Sequence, residues 1–339
     1  MRTIRSVLVD SPAGDLRIGS REVADPGHAE VRIDIEACGV CHTDSQFVNN
    51  QLPGIVYPVT PGHEIAGRIE SVGPGVVNWQ VGDRVAIGWS GGHCTYCDRC
   101  RRGDFVHCEN AQVPGWTYPG GYAESIVAPA NALARIPANL SAAEAAPLAC
   151  AGVTVFNGLR RTGARAGDLV AVIGLGGLGH LAVQFAAKMG FDTVVVARGH
   201  EKEKLATDLG ARHYVDSTRK DVSTALLKLG GARVVLATAG NSDAMIAALD
   251  GLGPHGELIV IGIDPAPMKV TPLQLIFQSK TVHGHPGGVA MDTEDTLAFA
   301  AMTGIRPIIE EVPLERASEA YRRMMDNEAR FRMVLTTGA

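Results

Sequence analysis

The sequence predicts an α/β protein built from a mostly β domain and a doubly wound parallel-sheet domain, on three observations. Its 339 residues exceed the roughly 250–300 at which one hydrophobic core stops growing, so two domains are expected. Up to about residue 140 the chain offers short β-type runs separated by Gly and Pro signals. Beyond that point strand-like and helix-like segments alternate, the pattern of a parallel sheet with right-handed crossovers.

In chain order, "HAEVRIDIEACGV", "EIAGRIESV" and "GDRVAIGW" are the clearest strands of the first half, which reads as a barrel or sandwich. The pattern changes at "SAAEAAPLACAGVTVFNGLRR", where Ser141 and Glu144 form a candidate capping box ahead of an Ala-rich helix. "DLVAVIG" is a continuous apolar run suited to a strand covered on both faces, and "VVVA" (194–197), "RVVLATA" (233–239) and "ELIVIGI" (257–263) share that character. Between the first two, Leu178, Leu181, Ala182, Phe185, Ala186 and Met189 recur at helical spacing. After about residue 284 the text is irregular, then helical at "ASEAYRRMMDN" and strand-like at "RFRMVLTT". No repeat of 20–50 residues and no low-complexity linker interrupts it.

With 46% apolar and 20% charged residues the composition is that of an ordinary globular protein. A net charge of -5 gives no electrostatic reason to expect nucleic acid. The one dense basic cluster, Arg99, Arg101 and Arg102, reads as a solvated loop. The first residues lack an apolar signal-peptide core, and no later run approaches the ~18–20 apolar residues needed to span a bilayer, so a cytoplasmic protein without membrane partners is expected. In a reducing compartment, seven cysteines with Cys-x2-Cys spacing are better metal ligands than disulfide partners.

"GLGGLG" follows the strand "VAVI" and opens a helix, placing Gly174, Gly176, Gly177, Leu178 and Gly179 in a G-x-G-x-x-G dinucleotide loop. Glycines there permit a tight turn and close approach of backbone N–H groups to a pyrophosphate, at the positive end of a helix. The next strand ends in Ala197 and Arg198 rather than in a carboxylate for the ribose 2′-hydroxyl. Arg198, with Lys202, suits a 2′-phosphate, which favours NADP over NAD; the alternative is a solvated Arg198 and acceptance of both.

Cys94, Cys97, Cys100 and Cys108 form Cys-x2-Cys-x2-Cys-x7-Cys, four thiolates on one loop that suit a closed, structural zinc site. An iron–sulfur cluster and unliganded thiols are the alternatives, the first disfavoured by the long last gap and the absence of Pro after Cys108. Cys41 in "CGVCHTD", His63 in "TPGHEIAG" and Cys150 in "PLACAGVTVF" together make a Cys2His set that leaves a catalytic zinc one open position, although spacing does not prove that they converge.

These residues resemble the zinc-dependent medium-chain dehydrogenase/reductase family, in particular its alcohol dehydrogenases of the shorter bacterial and yeast type. The similarity runs from end to end and rests on "CGVCHTD", "GHE", the four-cysteine lobe, "LACAGVTVF" and "GLGGLG" in the family's order. The resemblance implies a GroES-like catalytic domain from residues 1–149 and 285–339 and a Rossmann domain from residues 150–284, with the active site in the cleft between them. It implies Cys41, His63 and Cys150 as catalytic zinc ligands, Glu64 as a carboxylate able to approach the metal, and Asp44 as the group orienting the histidine. Thr43 matches the hydroxyl that bonds the substrate oxygen, and His42, Thr154 and Arg332 match positions near the cofactor. Where many relatives carry a proton-relay histidine this chain has Gln46, which cannot titrate, so water or His42 completes the relay or proton release is slower.

Trp89, Trp116 and Leu52 are candidate walls of an apolar pocket for primary alcohols with aliphatic or aromatic tails, the alternative for the tryptophans being a core or domain-contact role. The expected protein is thus an alcohol dehydrogenase or aldehyde reductase with two zinc ions per chain, one catalytic and one structural, and a homo-oligomer, a tetramer or alternatively a dimer. A polyol or formaldehyde dehydrogenase of the same family, and a nucleotide-binding zinc protein without catalysis, are the alternatives.

Overall fold

The computed structural model describes residues 1–338. The chain forms two compact units, Met1–Val153 with the segment from Gly288 onward, and Thr154–Gly287.

The first unit begins with the hairpin β1 (Arg2–Leu8) and β2 (Arg17–Val23), followed by β3 (Glu30–Gly39), helix α1 (Asp44–Val48), β4 (Glu64–Val72) and β5 (Arg84–Ile87). A short helix α2 (Asp98–Arg101) lies in the cysteine lobe; β6 (Ser125–Pro129), β7 (Ala134–Arg135) and α3 (Ala142–Pro147) complete this part. In β3, Val31, Ile33 and Ile35 are buried while Arg32, Asp34 and Glu36 are half-exposed, the two-residue alternation of a strand with one face on a core. Those side chains meet Ile65 and Ile69 of β4, Val85 and Ile87 of β5, and Ile126 of β6 in one apolar cluster.

The capping box predicted at the start of α3 is present. Ser141 Oγ accepts the Glu144 N–H at 3.1 Å, and Glu144 Oε2 accepts the Ser141 N–H at 2.8 Å. The helix then runs without a break through a π-helical turn, Leu148–Gly152.

The second unit contains α4 (Val153–Arg160) from its second residue on, then β8 (Leu169–Ile173), α5 (Gly179–Lys188), β9 (Asp192–Ala197), α6 (Glu203–Asp208), β10 (His213–Asp216), α7 (Val222–Lys228), β11 (Ala232–Ala237), α8 (Ser242–Leu249), β12 (Leu252–Val260), α9 (Pro272–Ile276) and β13 (Thr281–Gly284). All six strands pair in parallel, in the order β10-β9-β8-β11-β12-β13. Numbered within the unit this is 3-2-1-4-5-6, the doubly wound Rossmann order, in which the strand direction of travel reverses beside β8. Every residue of β8 is buried, as its unbroken apolar run requires.

The chain ends back in the first unit with α10 (Ala290–Thr303), β14 (Ile309–Pro313), α11 (Ala317–Met325) and β15 (Arg332–Thr336). These strands extend its sheet, giving the order β14-β15-β3-β4-β5-β7 with β6 also on β3. One helical run, Ala142–Arg160, is long and apolar enough to cross a membrane by length and composition, because Ala and Val dilute its few polar residues; 83% of its apolar window is buried, as in a core helix.

Ser141→Ala is expected to lower stability by about 1 kcal/mol through loss of the cap. Denaturant midpoints and hydrogen exchange at the Glu144 amide check this, and unchanged values would contradict it.

Candidate active site and metal centres

Three strand ends and one irregular helical turn deliver the side chains of the first site. Val40 N–H bonds Met333 O at 2.9 Å, so the chain leaving β3 is held against β15 as it turns through Cys41, His42 and Thr43 into α1. Gly39 pairs with Glu64 across β3 and β4, and with Val334 across β3 and β15. A Cβ on Gly39 would lie 2.0 Å from Glu64 Oε2, so only glycine leaves room for that carboxylate. Cys150 sits in the π-helical turn, a distortion that recurs at functional sites. Gly88, just beyond β5, abuts this turn so closely that a Cβ would fall 2.1 Å from Ala149 O.

The result is a cluster in which one ligand atom each from Cys41, His63, Glu64 and Cys150 lies within 4.8 Å of the others. His63 Nε2 is 3.3 Å from Cys150 Sγ, and its Nδ1 is 2.7 Å from Asp44 Oδ1. A carboxylate partner places a proton on Nδ1 and aims Nε2 at the sulfurs; against the effect of burial, Asp44 and Cys41 hold the imidazole well above its usual range, so Nε2 presents its lone pair when a cation displaces its proton. Asp44 also accepts the Cys41 N–H at 3.0 Å and the Tyr122 hydroxyl at 2.8 Å, both on Oδ2. His63, Glu64, Asp44 and Tyr122 are fully buried.

The electrostatics suit a cation. The hydrogen bond from Cys150, with His63 and Arg332, holds Cys41 well below the usual thiol range against the effect of burial, while sharing that proton and burial push Cys150 up. Burial pushes Glu64 up to about 7 despite Arg332, whose Nη2 donates to Glu64 Oε1. Glu64 Oε2 and Arg332 Nε are buried without a hydrogen-bond partner. Two soft sulfurs, an oriented imidazole and an orphaned carboxylate oxygen are a donor set that fits zinc.

Arg332, expected near the cofactor, is therefore engaged with Glu64 among these residues. Thr43 is half-buried with Oγ1 3.6 Å from Cys41 Sγ, His42 is exposed, and Gln46 is half-buried on α1. Trp89 lies edge-on to His63 with ring centroids 5.5 Å apart, stacks on Phe47 at 5.9 Å and meets Trp116 at 6.2 Å. Trp116 Nε1 donates to Pro53 O at 2.8 Å, tying the wall to the turn that carries half-buried Leu52. Phe47 and Tyr122 were missing from the sequence reading, since neither belongs to a spacing pattern.

The four-cysteine lobe is a second, separate cluster with all four sulfurs within 4.8 Å. Cys94 to Cys100 and Cys97 to Cys108 are each 4.0 Å apart, far beyond a disulfide's ~2.05 Å. Zn–S bonds of about 2.3 Å in a tetrahedron put sulfurs about 3.8 Å apart, so this spacing fits a tetrathiolate zinc. The N–H groups of Cys97, Cys100 and Asn110, and the Asn110 side chain, point at the sulfurs from 3.4–3.5 Å and would stabilise thiolate charge.

In the second unit the glycine loop divides its work. Gly174 turns at φ +91°, Gly176 has open space where a Cβ would stand, and a Cβ on Gly179 would collide with Gly174 O at 2.1 Å. Those are the tight turn, the open approach and the close packing that a dinucleotide loop requires. Leu178 immediately precedes α5, half-buried, and Gly177 lies between it and Gly176. Thr238 Oγ1 bonds Ile173 O at 2.7 Å, and His180 Nδ1 lies 3.0 Å from Gly176 O. Lys202, expected at a 2′-phosphate, places Nζ 3.0 Å from Leu175 O and so holds the loop itself. Arg198 is exposed at the end of β9, as that expectation requires, and Thr154 is half-buried in α4.

Residues 27–138 match the alcohol dehydrogenase GroES-like domain and residues 177–302 the zinc-binding dehydrogenase domain. An alcohol dehydrogenase of Aspergillus sp. (strain MF297-2) is 44% identical over 311 residues, covering 92% of this chain and 91% of that protein. The NADP-dependent alcohol dehydrogenase C of Mycobacterium tuberculosis is 36% identical, covering 93% of each. Among solved structures, a cinnamyl alcohol dehydrogenase of Sorghum bicolor superposes with a TM-score of 0.88 at 30% identity, over 99% of this chain and 98% of that one. The chain belongs to the zinc-dependent medium-chain dehydrogenase/reductase family.

Gly88→Ala is expected to displace the Ala149 carbonyl and with it Cys150, lowering zinc retention at the Cys41–His63–Cys150 cluster while zinc retention at the four-cysteine lobe stays at the wild-type level. Metal content after dialysis against a mild chelator checks this; full retention at both would contradict it.

Proposed function

We propose that this chain is a zinc-dependent alcohol dehydrogenase and aldehyde reductase that moves hydride between primary alcohols, aliphatic or aromatic, and NADP(H), with NAD(H) the weaker cofactor. The observation that carries this reading is the convergence of Cys41, His63 and Cys150, residues far apart in sequence, on one buried point with an oriented imidazole. Zinc held by these three supplies Lewis-acid polarisation of the substrate oxygen when bound.

The rest is done by the chain's own residues. Thr43, beside Cys41, takes the substrate's hydroxyl proton as a hydrogen-bonding relay. Gln46 cannot titrate, so His42 or water carries the proton onward. Trp89, Trp116 and Leu52 line the substrate side with apolar surface, which favours alcohols with carbon tails over polyols. Glu64 and Arg332 place a buried carboxylate next to the ligand set, available to the metal when its coordination changes. The Gly174–Gly179 loop and the start of α5 bind the pyrophosphate. Cys94, Cys97, Cys100 and Cys108 hold a second zinc that braces the lobe.

The cofactor preference rests on the uncharged end of β9 at Ala197, with Arg198 next to it. It agrees with the name of the mycobacterial relative. A homotetramer, alternatively a dimer, working in the cytoplasm is the setting proposed.

The zinc-loaded chain should oxidise primary aliphatic and aromatic alcohols and reduce their aldehydes with NADPH. Turnover restricted to a polyol would contradict the substrate reading. Arg198→Ala should lower the kcat/KM ratio of NADP to NAD about tenfold or more, as expected for loss of a charge-assisted phosphate contact. An unchanged ratio would contradict the cofactor reading.

A further inference from the structure

We propose that Tyr122 is a positioning residue of the catalytic metal centre: its hydroxyl fixes the Asp44 carboxylate, and Asp44 fixes the tautomer and the aim of His63. The inference rests on the metal reading above and extends it to a residue in no ligand motif.

Asp44 is buried at the start of α1 and accepts three hydrogen bonds. Oδ1 serves His63 alone. Oδ2 is shared by the Cys41 amide at 3.0 Å and the Tyr122 hydroxyl at 2.8 Å. A peptide N–H by itself fixes one direction of approach and leaves the carboxylate free to rock about it. The second donor, arriving from a segment 78 residues away, removes that freedom and so holds Oδ1 in line with Nδ1.

The phenol can do this because it is itself immobile. Tyr122 is one of the largest side chains with no exposed surface. Its N–H bonds Pro61 O at 3.0 Å, and the neighbouring Gly121 N–H bonds Gly62 O at 2.8 Å, clamping the tyrosine segment to the loop that carries His63. Gly62 lies against the ring, where a Cβ would stand 2.4 Å from Cδ1, and it has φ +105°. The residue immediately before the histidine ligand is thus a glycine that admits this aromatic ring. Tyr122 closes a chain of contacts from hydroxyl to carboxylate to imidazole, while its backbone holds the far end of the same loop.

Tyr122→Phe keeps the ring and removes only the donor. The half-buried Tyr118, whose hydroxyl bonds Gly91 O at 2.8 Å and does not touch Asp44, provides the matched control Tyr118→Phe. With the zinc-loaded full chain and a chromogenic chelator, Tyr122→Phe should release the ion of the Cys41–His63–Cys150 site about tenfold faster. The ion of the four-cysteine lobe should leave at the wild-type rate, and Tyr118→Phe should match wild type at both. In zinc-free protein carrying 15N-labelled histidine, the wild-type Nδ1–H of His63 should give one exchange-protected signal and that of Tyr122→Phe a faster-exchanging one. Wild-type release by Tyr122→Phe, equal acceleration by Tyr118→Phe, or a Tyr122→Phe chain that fails to fold where Tyr118→Phe folds would each overturn the proposal. A wild-type chain retaining one ion only, on the four-cysteine lobe, would contradict the metal reading instead, and the exchange of the His63 Nδ1 proton would still decide the role of Tyr122.

Discussion

The buried carboxylate of Asp44 is the interaction on which the first site depends. It accepts the Cys41 amide and the His63 ring at once, and so joins the turn after β3 to the residue before β4. A carboxylate with no solvent is costly unless it is fully hydrogen-bonded, and three donors meet that requirement here. Because the partner of Nδ1 is an acceptor, Nδ1 keeps its proton and Nε2 is the nitrogen turned to the sulfur side, where a cation would meet it. Without Asp44 the same residues would be a thiol pair and a histidine of undefined tautomer.

Close backbone approach is the second recurring device. Gly39 leaves space for Glu64, Gly88 lets the turn carrying Cys150 come against the end of β5, and Gly179 lets α5 pack onto the turn at Gly174. In each place a single methyl group would intrude by more than an ångström on an oxygen atom. The Cys41–His63–Glu64–Cys150 cluster and the glycine loop therefore rest on absent side chains as much as on present ones.

What the sequence made legible was local. The capping box at Ser141 and Glu144, the glycine loop after β8 and the four-cysteine spacing each lie within about one turn-to-helix span, so neighbours in the chain are neighbours in space. Strand β8 could be read because burial on both faces demands an unbroken apolar run. The edge strand β13, "TVHG", is largely exposed and shows no such run, so periodicity passes over it. The meeting of Cys41, His63 and Cys150 was suggested by residue type and by family resemblance, but the pairing of β3 with β4 and the π-helical turn that bring it about leave no mark in spacing. Still less visible were Tyr122 on Asp44 and Arg332 on Glu64, contacts spanning 78 and 268 residues. Equally invisible was the hydrogen bond from the Lys202 ammonium to Leu175 O, which ties the segment after β9 to the glycine loop.

Zinc K-edge absorption fine structure on the metal-loaded chain tests the central claim most directly. The account predicts two zinc ions per chain, one bound by sulfur alone and one by two sulfurs, a histidine nitrogen and a light oxygen atom, so that the average shell holds about three sulfurs per zinc. A single ion per chain, or a shell of sulfur only, would contradict it.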